Sequence, residues 1–147
     1  MLTWAHFVMV GATAMVVLAA VLLHYEVCSQ LNHRLYTSRL RQRSRMVMLI
    51  LGLMVAHFIE IWLFGIGAWL LTRWPEMGAI SVGQDAGLLE FVYLSATSFT
   101  TLGYGDVVPH GVVRFLFGVE AVTGFAIITW SASYTFLDMQ RQWSSNI

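Results

Sequence analysis

Three long apolar runs separated by short polar segments dominate the 147-residue chain. Residues 1–25 contain no Asp, Glu, Lys or Arg, residues 46–72 contain only Glu60 and residues 115–137 only Glu120. A helix crosses a bilayer with about 20 mostly apolar residues. The pattern therefore predicts spans near 3–25, 46–71 and 112–137. A fourth apolar stretch, 86–99, is too short to cross and predicts a re-entrant or buried helix, with Asp85 placed to cap its N-terminus. The fold class that follows is an all-α membrane protein, a single membrane domain over 1–147 without repeats or low-complexity tracts.

Composition agrees: 58% of residues are hydrophobic and 11% charged, which is not the balance of a soluble globule. The first run has no Lys or Arg ahead of it and is longer than the apolar core of a secretion signal, so a retained helix is expected. Cys28 is alone, cannot form an internal disulfide and is expected to be inert.

Charge is zero overall but unevenly spread. Arg34, Arg39, Arg41, Arg43 and Arg45 lie between the first two spans, whereas Arg73 is outnumbered by Glu76, Asp85 and Glu90 after the second. Basic loops stay on the cytoplasmic side, which predicts 31–45 inside, 73–90 outside, an external N-terminus and a cytoplasmic C-terminus. Arg39, Arg41, Arg43 and Arg45 recur at every second residue in a polar stretch, unlike a voltage-sensing helix with its basic residues on one face of a span. A solvated hairpin over Arg34–Arg45 attracted to anionic lipid is expected, and no nucleic-acid partner. Trp4, Trp69 and Trp74 fall at outer ends and Trp143 beyond the inner one, as an interfacial belt requires. Gly52 with Ala56, and Gly11 with Ala12, are positions where helices can approach closely.

The most specific signal is Thr-Thr-Leu-Gly-Tyr-Gly-Asp at 100–106, between the short apolar stretch and the last long one. Alone, Gly-Tyr-Gly-Asp reads as a turn or a weak phosphate loop. A phosphate loop would need a preceding strand and a nearby Lys or Arg on its helix, and the chain has no lysine. The stretch resembles the potassium-channel pore family, whose signature is Thr-Val/Leu-Gly-Tyr-Gly-Asp after a pore helix; the likeness covers about 46–137 and includes Pro109. It implies three transmembrane helices plus a re-entrant pore helix and a selectivity filter, assembled as a homotetrameric potassium channel. Main-chain carbonyls of Thr101, Leu102, Gly103 and Tyr104 would replace the hydration shell of K+, with the Thr101 hydroxyl adding a ring. Glycine at 103 and 105 reaches the positive φ such a loop needs. One loop offers one oxygen per ring, so four copies must surround the ion.

Thr100, Gly105 and Asp106 complete the expected support of the filter, and the resemblance implies that Asp106 bonds Tyr93, where the family usually has tryptophan. Thr97 stands where some prokaryotic members carry glutamate, so no acid pair is expected there. The resemblance puts Gly124 near a hinge glycine, and helical spacing makes Phe125, Ile128, Ala132 and Phe136 candidate cavity-lining residues, a periodicity that lipid-facing packing would equally produce.

Acids and histidines are costly in hydrocarbon and usually pair. His57 and Glu60 share a helix face, and Glu60 and Glu120 lie at similar depth. We expect these three to form a polar cluster between the second and third spans, behind the filter, serving structure or a pH response in gating.

The expectation is a small prokaryotic two-helix pore module with an additional N-terminal helix (1–31) packed against the second span, in the plasma membrane. Passive K+ conduction is expected, with no cofactor beyond the permeant ion and no enzymatic chemistry. With about ten residues after the third span, no ligand-binding domain is expected there. The alternatives are a non-conducting channel-like subunit and, more remotely, a metal-binding helical membrane enzyme built on His57, Glu60 and Glu120.

Overall fold

A computed structural model describes residues 3–38, 41–82 and 86–144. Helices α1 (Trp4–Thr37), α2 (Gln42–Leu71), α3 (Leu88–Phe99) and α4 (Arg114–Ser144) carry the fold. Three of them, α1, α2 and α4, are long and apolar enough to cross a membrane; α3, with 12 residues, is not. The protein is a membrane protein, and its surface is that of one. Phe7, Leu18, Leu22, Val55, Phe58 and Val122 on the long helices are all exposed, as side chains facing lipid are.

The core lies where α2, α3 and α4 meet. Phe64, Phe99, Met77 and Leu116 are fully buried there, with Met9 and Ala20 of α1 against them. Two close backbone approaches set the spacing. A Cβ on Gly65 of α2 would come within 2.9 Å of Val92 Cα on α3. On Gly124 of α4 it would meet the carbonyl oxygen of Phe99 at 2.2 Å. Gly124 therefore lets α4 rest directly on the last residue of α3.

Two expectations about α1 need correction. The helix does not end near residue 25 but continues to Thr37, and the expected Arg34–Arg45 hairpin shrinks to the segment between Thr37 and Gln42. Arg34 occupies the last turn of α1, while Arg43 and Arg45 open α2. The cause is packing. Cys28 and Leu35 are buried in a second cluster with Leu49 and Leu53, and Leu31 packs there against Gly52, whose added Cβ would lie 2.7 Å from it. That apolar stripe outweighs the polar residues between its members. Gly52 and the buried Ala56 do mark close approach, whereas a Cβ on Gly11 would meet nothing within 4 Å. Nor does α1 pack on α2 alone, because it also contacts α4, where the Trp130 ring lies 5.2 Å from that of His24.

Between α2 and α3, a 3-10 turn at Pro75–Met77 leads into strand β1 (Ala79–Ile80), which pairs antiparallel with β2 (Pro109–His110). This small ribbon, absent from the all-helical expectation, ties together the segments that precede α3 and follow the 100–106 motif. The N-cap of α3 is Gly87; Asp85, expected there, lies outside the described residues.

Candidate functional site

The 100–106 segment begins as the end of α3. Thr100 is the C-cap, and the Thr101 N–H donates to Ser98 O at 2.9 Å while the Leu102 N–H donates to Thr97 O at 2.9 Å. This pair of bonds is a Schellman termination, which normally places glycine in the left-handed position. Here that residue is Thr101, with φ of 58°. A side-chain-bearing residue held there carries backbone strain of order 1–3 kcal/mol.

Gly103 and Gly105 follow with φ of 53° and 79°, so every second residue from 101 to 105 is left-handed. The Gly103 N–H also donates to Thr97 O at 3.1 Å, which anchors the loop to the α3 backbone. Thr97 thus meets the loop through its carbonyl; its buried hydroxyl donates to Leu94 O at 3.0 Å. The Thr100 hydroxyl likewise turns back, onto Ala96 O at 2.7 Å. Thr101, Leu102, Gly103 and Tyr104 are all exposed in the single chain.

Behind the loop, Tyr93 Oη donates to Asp106 Oδ2 at 2.7 Å. The bond stabilises the carboxylate, lowering the Asp106 pKa below its ordinary value and raising that of Tyr93. Further along, the Val108 N–H donates to Ser81 Oγ at 2.8 Å, and the Ser81 N–H to Val108 O at 2.9 Å.

The buried polar groups are arranged differently from expectation. His57 Nδ1 does lie 3.0 Å from Glu60 Oε2, but Glu60 Oε1 is met by Nδ1 of His24, on α1, at 2.9 Å. Glu120 is not in this cluster. It accepts from Ser95 Oγ of α3, which also lies 2.8 Å from Ile61 O. The two acids differ in the helix they face: Glu120 meets α3 and Glu60 meets α1. His24, Ser95 and Ser131 are residues the sequence reading missed. The available signal for His24 was its polarity within an otherwise uncharged span, which by itself marks an intramembrane site.

Phe125, Ile128, Ala132 and Phe136 are exposed on α4. Gly124 is buried against Phe99, a contact that accounts for glycine there without invoking a hinge.

Residues 46–141 match the family described as ion channel. The chain belongs to that family. No curated protein and no solved structure matches it.

Proposed function

We propose that this ion channel is a potassium-selective homotetramer conducting K+ passively, with Thr101–Tyr104 as its selectivity filter. The observation that carries the reading is the alternating backbone handedness at Thr101, Gly103 and Gly105 in an exposed loop. In an extended strand successive carbonyls point to opposite sides. Alternation between residues of negative and positive φ instead turns them toward one side, as a carbonyl-lined ion path requires. One chain leaves these groups uncovered, which supports closure by symmetry-related copies.

In this reading α3 is a re-entrant pore helix whose partially negative C-terminal end favours a cation below the filter. Asp106 and Tyr93 brace the filter from behind, and Phe125, Ile128, Ala132 and Phe136 line the cavity or the subunit contact. The N-terminus and the ribbon lie outside, and the connector between α1 and α2 inside a bacterial plasma membrane, near anionic lipid.

Reconstitution into liposomes with K+ or Na+ gradients tests this. Flux in K+ that exceeds flux in Na+ at least tenfold, and is lost in Gly103→Ala, is expected. Equal permeability would refute selectivity, and absence of flux with either ion would favour a non-conducting subunit.

A further inference from the structure

We propose that His24, His57 and Glu60 form a site for a divalent first-row metal ion of the zinc class, joining α1 to α2. The donor atoms converge: Nδ1 of His24 and Nδ1 of His57 face the two oxygens of one carboxylate at 2.9 and 3.0 Å, and all the ligand atoms lie within 4.8 Å of one another. Zinc takes imidazole nitrogen and carboxylate oxygen at about 2.0–2.2 Å. Two donors on one such ion lie at most about 4.4 Å apart, so binding requires the widest pair to close in slightly while the 2.9 and 3.0 Å pairs open. Two nitrogens and one oxygen of Glu60 supply three donors, which leaves a fourth position for water, as in zinc sites with three protein ligands.

Burial and charge favour a cation in this place. The side chains of His24 and Glu60 are fully buried and that of His57 is 19% exposed. Among the described residues the ion-pair partners of Glu60 are these two histidines, with no arginine at hand. A buried carboxylate that stays ionised is stabilised by a positive counterpart. Each Nδ1 facing an oxygen must hold either a proton or, in its stead, a metal ion.

The surroundings of His24 suit the second option. When Nδ1 binds a metal, the imidazole proton resides on Nε2 and needs an acceptor. Ser131 Oγ of α4 lies 3.2 Å from that nitrogen. Thr123, Thr129, Ser133 and Thr135 on the same helix all donate to the carbonyl four residues back, whereas the Ser131 hydroxyl meets His24. The site also adjoins the end of α3, because the His57 ring lies 6.0 Å from that of Phe99.

The test is titration of the purified full-length protein in detergent with Co2+ and Zn2+. Wild type should bind one Co2+ per chain, with visible d–d absorption of a four-coordinate nitrogen and oxygen set, and Zn2+ should raise its melting temperature. His24→Gln and Glu60→Gln should each weaken binding more than tenfold, and Ser131→Ala, which removes only the outer partner, by about ten- to a hundredfold. His33→Gln, on the exposed tail of α1, should change nothing. If His24→Gln fails to fold, Ser131→Ala and the zinc-dependent melting of wild type still decide. Absence of the cobalt spectrum in wild type, affinity unchanged in Ser131→Ala, or an intense thiolate charge-transfer band from Cys28 would each overturn the site. None of these readouts depends on ion flux, so the site and the proposed selectivity stand or fall separately.

Discussion

Thr101 combines two demands that oppose each other. Its backbone occupies the position where helices prefer glycine, yet it carries a β-branched side chain. Thr101→Gly should relieve strain of order 1 kcal/mol. If the hydroxyl contributes to ion coordination, the same change should lower the K+-to-Na+ flux ratio. A variant that melts no lower than wild type but discriminates less would separate the two demands; unchanged discrimination would count against a role for the hydroxyl. The Tyr93–Asp106 bond gives a second residue-level expectation. Its contribution exists while Asp106 is ionised, is complete above the ordinary carboxylate pKa near 3.9, and fades as pH falls through the lowered pKa of the folded state. Tyr93→Phe should return that pKa toward its ordinary value. Acid inactivation of flux, followed between about pH 3 and 6, should then set in at higher pH than in wild type.

At the scale of elements, the contacts behind α3 are the most sensitive to change. Gly124→Ala would drive a methyl group into the Phe99 carbonyl, and relief requires separating α4 from α3. A loss of about 1–3 kcal/mol is expected, the usual cost of overpacking, read as a lower melting temperature; Gly11→Ala, where nothing lies within 4 Å, is the control. Ser95→Ala would remove the hydrogen bond that α3 makes to Glu120, whose second oxygen has no hydrogen-bond partner among the described residues. An unsatisfied buried group costs about 1–3 kcal/mol, so Ser95→Ala should melt well below Glu120→Gln, whose amide oxygen still accepts from the serine. Equal melting of the two would mean that the bond contributes little.

These elements also show what sequence could and could not convey. The long helices and the short α3 were legible because burial in lipid demands uninterrupted apolar length. The inner end of α2 and the extension of α1 were not, because Cys28, Leu31 and Leu35 are spaced along one face among polar residues, and their partner stripe lies on another helix. The 100–106 motif was legible because its backbone requirements are local. The buried pairs were not. Which helix face Glu60 or Glu120 presents depends on helix rotation, and three residues of the network (His24, Ser95 and Ser131) lie on helices whose relative placement no periodicity encodes.

For the whole molecule, orientation is the property on which the proposed function depends most directly. In a Cys28→Ser background, Thr3→Cys should react with a membrane-impermeant thiol reagent added to intact cells, and Ser38→Cys only after lysis. The reverse pattern would turn the loop at 100–106 toward the cytoplasm. Arg45, near the start of α2, and Asp138, near the end of α4, are joined at 2.9 Å, partly shielded from solvent, so these ends of the two helices are held together within one chain. The 34 residues of α1 rise about 50 Å, against about 30 Å of hydrocarbon, with Arg34 near the far end. From His24 to Thr37 the helix extends roughly 20 Å as a stiff rod rather than a slack tether. Cys28, Leu31 and Leu35 of this stretch lie against Leu49, Gly52 and Leu53 of α2, so the two helices are zipped together beyond His24 and a displacement of either end is shared by both.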